Sequence, residues 1–131
     1  MPTRIDLVMY PVANYDDAIA FFVECVVFHL TEDFDRGLGK RWVVVRPPGV
    51  HSTGLLLARQ DDEQPAHASG HGADKVSYLL RVDDLAEEYS RMRLAGVHFL
   101  EEPRYEVYGT VAVFEYLYRN KWDLIGPARA D

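Results

Sequence analysis

The chain has 131 residues, 48% of them hydrophobic and 27% charged, with a formal net charge of −7 at pH 7, which fits one compact soluble domain. The negative charge and the scattered basic residues argue against a nucleic-acid partner, because phosphate binding needs a concentrated basic face. No apolar run is long enough to span a membrane, the N-terminus lacks the layout of a signal peptide, and a single cysteine excludes an internal disulfide, so we expect a cytoplasmic protein with no membrane partner.

The first third of the chain predicts a strand followed by an amphipathic helix. Ile5–Val12 is apolar and reads as a strand, and Asn14 after it is a good helix N-cap. The buried stripe predicted for the helix recurs at helical spacing and consists of Ala18, Ile19, Phe22, Cys25 and Val26. We therefore expect this helix to lie on a sheet, with Cys25 as a small buried hydrophobe rather than a reactive thiol.

Three strands and a polar linker are predicted next. The strands are Phe28–Phe34, Arg41–Arg46 and Thr53–Arg59. The stretch Gln60–Asp74 turns polar and loses all periodicity, which is typical of a linker. Its His67 and His71 stand four residues apart, the spacing of two metal ligands on a helix, but the glycines around them disfavour a helix and favour solvated linker histidines.

The pattern then restarts. Lys75–Val82 predicts a strand, Asp84 an N-cap with Glu87 three residues later, and Leu85, Tyr89 and Met92 a buried helix stripe that ends near Gly96. The remaining predicted strands are His98–Glu102, Thr110–Glu115 and Lys121–Ile125, with Tyr118–Asn120 as the turn of the last hairpin.

The two halves of the chain have the same order of elements. Subtracting 70 from the residue numbers places Val82 on Val12 and Asp84 on Asn14, so each half runs strand, capped helix, three strands. Two units that cannot bury their sheets alone are expected to complete one another, with helices on the outer faces and the opposite faces curling around a shared cavity. We expect one domain, with module 1 at about 4–59, a linker at 60–74 and module 2 at about 75–127.

The chain resembles the vicinal oxygen chelate superfamily, which includes glyoxalase I, extradiol dioxygenases and bleomycin-resistance proteins. Three stretches carry the resemblance: Val12-x-Asn14-x(3)-Ala18-Ile19-x-Phe21-Phe22, Val82-x-Asp84-x(11)-Gly96-Val97, and Tyr108-Gly109-Thr110 followed by Asn120-Lys121-Trp122-Asp123-Leu124. The resemblance implies an α+β fold in which two βαβββ modules form a curved mixed sheet around a cavity. It implies no single reaction, because this fold hosts isomerases, oxygenases, transferases and pure binders.

The resemblance also implies where the superfamily's divalent metal would be held. The corresponding positions are Leu7 and Ser77 on the opening strands, and Leu57, within one residue, and Asp123 on the closing strands. Only Asp123 is a good ligand, whereas stable sites use three or four N, O or S ligands. We therefore expect no divalent metal and no other cofactor.

Asp123 is the candidate catalytic residue. Alternation along its strand puts Trp122 and Leu124 on one face and Lys121, Asp123 and Ile125 on the other. In an apolar cavity the pKa of Asp123 should rise, unless a cation such as Lys121 opposes the shift. Asp123 then either binds a polar ligand together with Lys121, acts as a general base, or lies in a solvated or paired position at the rim.

Several other side chains are candidates for ligand contact. Trp42, Tyr105, Tyr108 and Tyr116 either stack on a flat or cationic ligand or pack in the core, and Tyr108 is expected nearest a pocket mouth. The facing of Arg41 and Arg46 depends on strand register. A further basic residue, Arg104, is expected in a surface charge cluster with neighbouring glutamates.

Two functions from different classes remain. One is a small-molecule binder without a metal, contacting its ligand through Leu7, Trp42, Leu57, Ser77, Tyr108 and Lys121. The other is a lyase, isomerase or dioxygenase-type enzyme that uses Asp123 as a base or an atypical metal site with His51, His67 or His71. Because half-barrel sheets have open edges and superfamily members commonly pair, the resemblance also implies a homodimer.

Overall fold

The computed structural model of the protein describes residues 2–49, 51–59, 76–117 and 120–128. The chain forms two compact units, and the described residues up to 59 belong to the first and those from 76 onwards to the second. The predicted linker at 60–74, with His67 and His71, lies outside the described residues, as do Tyr118 and Arg119 of the predicted turn.

The first unit has the predicted order of strand, helix and three strands. Its elements are β1 (Leu7–Val12), α1 (Tyr15–Ala20) with a wider π-helical turn (Phe21–Cys25), β2 (His29–Gly37), β3 (Lys40–Arg46) and β4 (Gly54–Arg59). The strands form one sheet in the order β1-β4-β3-β2, in which β1 runs parallel to β4 and the other pairs are antiparallel. The opening and closing strands of the unit are therefore neighbours.

The start of α1 is confirmed, and the structure shows how the helix ends. Asn14 caps the helix, since its Oδ1 accepts a hydrogen bond of 2.9 Å from the amide of Asp17. The π-helical turn inserts one extra residue, so the left-handed residue that ends the helix falls at Val27, with φ 66°. The wider turn also changes the buried stripe, because Phe21 is buried while Cys25 is only partly buried.

The second unit repeats this order with one additional strand. Its elements are β5 (Val76–Arg81), α2 (Leu85–Leu94), β6 (His98–Phe99), β7 (Arg104–Glu106), β8 (Gly109–Glu115) and β9 (Lys121–Gly126). The sheet order is β5-β9-β8-β6, with β5 parallel to β9, and β7 also pairs with β8. Asp84 caps α2 by accepting from the amide of Glu87 (3.1 Å), and Gly96, with φ 100°, ends it as predicted.

The predicted strand His98–Glu102 is corrected to the two-residue strand β6. The chain bends at Leu100–Glu101, and after Pro103 it returns to β8 as β7. Proline has no amide hydrogen to donate to a ladder, which explains why the edge is split into two short strands at this place.

Each helix covers one face of its own sheet. In the first unit the ring of Phe22 packs edge-on against Tyr10, with 5.4 Å between the ring centroids. In the second unit α2 packs against the β9 face that carries Trp122, Leu124 and Gly126; a Cβ on Gly126 would lie only 2.7 Å from the Cβ of Leu85. We call these the helix-covered faces and the opposite ones the helix-free faces. Within the described ranges no helix is both long and apolar enough to cross a membrane.

Candidate functional site

The helix-free face of the second unit carries the predicted acid. Ring stacking of Tyr78 on Trp122, at 4.8 Å between centroids, places both on the helix-covered face, so their strand neighbours point the other way. Strand register then assigns a set of side chains to the helix-free face: Leu79, Arg104, Val111, Val113, Glu115, Lys121, Asp123 and Ile125. Ser77 lies at a register shift between Val76 and Tyr78, so strand pairing does not assign its face. The alternation predicted along β9 is confirmed.

Asp123 sits among apolar neighbours on this face. Val113 of β8 and Leu79 of β5 are its cross-strand partners. Its Oδ1 is buried and accepts no hydrogen bond from any described residue. Burial raises the pKa of Asp123 above its ordinary value of 3.8, and the positive charge of Arg104 partly opposes that rise. A buried acceptor without a hydrogen bond lowers the stability of the folded protein. A ligand that donates a hydrogen bond to this oxygen would remove that cost.

The cation that acts on Asp123 is Arg104 and not Lys121, which corrects the expectation from sequence. Lys121 lies two residues from Asp123 along β9, a separation of about 6.6 Å between backbones, and its cross-strand partner is Glu115. Across the parts of the chain that the structure covers, no ion pair joins Lys121 to Asp123.

Arg104 belongs both to the predicted charge cluster and to the helix-free face. Its guanidinium donates to Glu106 (3.0 Å) and to Glu101, so the predicted cluster with glutamates is confirmed. The bond to Glu106 is the main cause that raises the pKa of Arg104, and the side chain of Tyr108 contributes in the same direction. Tyr108 is half exposed at the turn between β7 and β8. The effect of the Arg104 charge on Asp123 was not predicted from the sequence, because β7, the strand that carries Arg104, was not predicted.

The helix-free face of the first unit is apolar. Its side chains, assigned from register and from the atoms near Gly54, are Leu7, Met9, Phe34, Trp42, Val44 and Leu56. Phe34 and Trp42 are stacked cross-strand partners, with 6.2 Å between ring centroids and planes 21° apart. Phe34 and Met9 are largely exposed, 54% and 64% respectively. This face therefore offers an exposed apolar surface that includes the stacked pair of aromatic rings.

Leu57 lies on the opposite, helix-covered face. It is 1% exposed and is the register partner of Tyr10, whose ring packs under α1. Because paired residues of parallel strands share a face, the residue of β4 that shares the helix-free face with Leu7 and Met9 is Leu56. The ligand-contact position predicted at Leu57 therefore falls on its neighbour.

The structure also fixes the facing of the two arginines of β3. Arg41 lies on the helix-covered side, where it donates to Asp33 (2.7 Å) and Asp16 (2.9 Å) and lies over the ring of Tyr15. Arg46 points to the other side and donates to Asp6 (2.8 Å) and to the carbonyl of Ser52 (2.7 Å). Both guanidiniums are held in structural contacts, so neither is the cation of the candidate site.

The other predicted aromatic contacts separate into core and surface. Tyr116 is 2% exposed and belongs to the core. Tyr105 is the partner of Thr110 on the helix-covered side and is largely exposed. His51 accepts a 2.8 Å contact from Arg4 through Nδ1 and is exposed. Of the aromatic residues singled out from sequence, Trp42 is the one that the strand register places on a helix-free face.

The donor set does not fit the superfamily's divalent metal. The predicted positions present one carboxylate (Asp123), one hydroxyl (Ser77) and leucine side chains, which contain no donor atoms. Among the residues that the structure describes, no three His, Cys, Asp or Glu side chains come together as a metal site would need.

An open groove of about 390 Å³ lies on the other side of the second sheet, beside the start of α2, and is lined in part by Asp84, Leu85, Tyr89 and Pro103. The Asp84 carboxylate there already serves as the N-cap of α2. No unsatisfied buried side chain points into this groove within the described part of the chain. The helix-free face with Asp123 is therefore the better candidate site.

Comparison with known proteins agrees with this architecture. The model of the Glyoxalase/Bleomycin resistance protein/Dioxygenase superfamily matches residues 4–123. An uncharacterised protein of Shewanella frigidimarina (strain NCIMB 400) is 45% identical over 116 residues, which are 87% of this chain and 86% of the relative. The chain therefore belongs to the glyoxalase/bleomycin resistance protein/dioxygenase superfamily, and its fold is the α+β fold of that superfamily.

Two solved structures are similar over nearly their whole length. UcmS2 is 30% identical with a TM-score of 0.81, covering 95% of this chain and 98% of UcmS2. TnmS3, an antibiotic binding protein from Streptomyces sp. CB03234, is 28% identical with a TM-score of 0.80, covering 97% of this chain and 98% of TnmS3.

Proposed function

We propose that this chain binds a small molecule on its helix-free sheet faces, without a divalent metal, and that Asp123 makes the polar contact. The observation that carries the proposal is the buried, unpartnered Oδ1 of Asp123 among Leu79, Val113 and Ile125. A ligand group that donates to this oxygen removes an unsatisfied acceptor, and apolar parts of the ligand cover the side chains around it.

The helix-free face of the first unit and the relatives each suggest a property of the ligand. The first unit's face supplies apolar area and the Phe34–Trp42 stack, which suits a flat, largely apolar ring system. TnmS3 binds an antibiotic, and this chain is similar to it over 97% of its length. We therefore propose a ligand in the size class of an antibiotic, bound and not transformed. The cavity expected between the two modules stays a prediction.

Binding without a metal is the second part of the proposal. One carboxylate and one hydroxyl are too few ligands for a stable metal site. The other positions of the superfamily's metal ligands are occupied by leucine, whose side chain cannot coordinate a metal. We expect that a chelator such as EDTA leaves both the free protein and its complex unchanged.

A thermal-shift screen tests the proposal. Purified protein with EDTA is screened against bleomycin, anthracyclines, tetracyclines and other antibiotic-sized compounds. A bound ligand at 100 times its Kd should add about 2.7 kcal/mol, roughly 10 °C in Tm for a domain of this size. Asp123→Asn should reduce the affinity about tenfold, since a charge-assisted hydrogen bond is roughly twice as strong as a neutral one. The matched control is Asp83→Asn, an exposed aspartate near α2, which should bind like wild type. Equal binding by both variants would refute the role of Asp123.

The raised pKa of Asp123 favours a second candidate, an enzyme that uses this carboxylate as a general base. A base whose pKa is raised by burial accepts a proton more readily near neutral pH. This candidate requires turnover of a bound ligand, which mass spectrometry after overnight incubation detects. An Asp123→Asn protein that keeps full turnover would exclude it, and a ligand recovered unchanged from wild type supports the binder.

We also propose a homodimer, from the superfamily resemblance and from the long edge strand β2. All nine residues of His29–Gly37 are exposed, and β2 pairs only with β3 among the described strands, so one side of its backbone is open. Light scattering at micromolar concentration should give twice the 15.0 kDa chain mass. A monomeric mass would contradict this part.

A further inference from the structure

Arg104 is placed where it acts on the ligand that Asp123 binds. It begins β7, and its register partner on β8 is Val111, whose own partner on β9 is Ile125, two residues from Asp123. All four side chains are therefore on the helix-free face. Two strand spacings of about 4.8 Å separate the backbones of β7 and β9, a distance that a long arginine side chain can span.

The guanidinium of Arg104 is fixed rather than free to turn toward a ligand. Glu106 accepts from its Nε at 3.0 Å, and Glu101 accepts from its Nη1. Its side chain is 39% exposed, so its charge is only partly screened by water. Arg104 thus presents a positive charge on the same face as the acceptor oxygen, with its Nε and Nη1 bonded to glutamates.

A fixed positive charge next to an acceptor discriminates between kinds of donor. A ligand ammonium at Asp123 is attracted by the carboxylate and repelled by Arg104, whereas a neutral hydroxyl gains the hydrogen bond with no such repulsion. Resting on the function proposed above, we propose that Arg104 is a specificity-determining residue, which shifts the selectivity of the Asp123 site away from ammonium ligands and toward ligands with a neutral hydrogen-bond donor, such as a phenol or another hydroxyl.

Other charged groups lie on the same face. Lys121 adds a second positive charge on the same strand as Asp123, with Glu115 opposite it. His98, on β6, lies 3.6 Å from Glu115. These groups lie on the far side of Asp123 from β7 and are unchanged when Arg104 is substituted, so a change in selectivity can be assigned to Arg104.

Matched naphthalene probes test the inference at pH 7. They are 2-naphthol (neutral donor), 2-naphthylmethylammonium (cationic donor) and 2-methoxynaphthalene (no donor), titrated against ¹⁵N-labelled protein while the amides of Val113 and Asp123 are followed by NMR. Wild type should bind 2-naphthol more tightly than 2-methoxynaphthalene, which has no donor for Asp123. Arg104→Gln should lower the preference for 2-naphthol over the ammonium roughly three- to tenfold. Arg104→Lys should retain most of it.

Variants of opposite sign separate an electrostatic role from a structural one. Glu106→Gln removes a negative charge beside Arg104 and should raise the preference for 2-naphthol, in the direction opposite to Arg104→Gln. Arg91→Gln, which removes an arginine paired with Glu88 on α2, should leave the preference unchanged.

The outcomes distinguish this inference from the proposed function. If 2-naphthol binds, Asp123→Asn weakens it and Arg104→Gln leaves the preference unchanged, the role of Arg104 is wrong while the proposed function stands. If no probe shifts these amides in wild type, or if Asp123→Asn binds all three as wild type does, the proposed function fails and the inference with it.

Discussion

Replacing Asp123 by asparagine should stabilise the free protein at neutral pH. The two side chains have almost the same shape, but the amide carries no charge into the apolar surroundings of Val113, Leu79 and Ile125. The wild-type Oδ1 is buried without a hydrogen-bond partner among the described residues; asparagine also places an oxygen there, but a neutral group costs less to bury than a charged one. Because Arg104 offsets part of the cost of burying the charge, we expect a modest gain of about 1 kcal/mol, or roughly 4 °C in Tm.

The stability gained by Asp123→Asn should depend on pH. The pKa of Asp123 is raised in the folded protein above 3.8, so between the two pKa values the folded state binds more protons than the unfolded state. Stability contributed by this group is therefore present at low pH and is lost as pH rises from about 3.8 through the folded-state pKa. Asparagine does not titrate, so its advantage should be largest at pH 7 and should shrink toward zero near pH 4.

Urea unfolding followed by circular dichroism at pH 4, 5, 6 and 7 measures both the gain and its pH dependence. Asp83→Asn, at an exposed position, serves as the matched control and should differ little from wild type at pH 7. An Asp123→Asn protein that is less stable than wild type at pH 7, or a gain that is the same at every pH, would show that Asp123 is not a desolvated acid. A stabilised variant with weaker ligand binding is the combination expected of a residue kept for function.

Three further substitutions, and one control, test the packing that positions the site. Val27→Gly should stabilise by about 0.5–1 kcal/mol in urea, since a β-branched residue with φ 66° is strained, whereas Val97→Gly, at a buried position, should destabilise. Gly126→Ala should destabilise by about 1–3 kcal/mol, because its Cβ would lie 2.7 Å from that of Leu85, and a protein as stable as wild type would mean that α2 packs less closely on β9. Met92→Ala, in the fully buried stripe of α2, should cost about 2–4 kcal/mol, and a loss below 1 kcal/mol would contradict its core position.

Local signals in the sequence were enough to predict both helix starts and the order of the elements. Asn14 and Asp84 cap their helices because each side chain accepts from an amide three residues on, a contact within one short segment. The end of the second helix at Gly96 is equally local. The end of the first is not, because the π-helical turn delays the left-handed residue to Val27, which no glycine marks.

The parts of the site that sequence reasoning missed depend on pairing between distant strands. Leu56 rather than Leu57 shares a face with Leu7 because β1 runs parallel to β4 in one particular register. Arg104 reaches the Asp123 face only because β7 returns to β8 after the bend that precedes Pro103. Alternation within β9 was predictable, and it identified Asp123. The strands that flank β9 were not predictable, so Lys121 rather than Arg104 was expected to be the cation near Asp123.

Metal dependence of ligand binding tests the central claim most directly. Protein purified without chelator is analysed by inductively coupled plasma mass spectrometry, and one ligand from the thermal-shift screen is then titrated by calorimetry with EDTA and with added Zn²⁺. Less than 0.1 equivalent of metal and a Kd that agrees within about twofold in the two buffers is the expected result. One equivalent of zinc, nickel or iron in the purified protein, or binding that disappears with EDTA, would contradict a ligand held by Asp123 and apolar side chains alone.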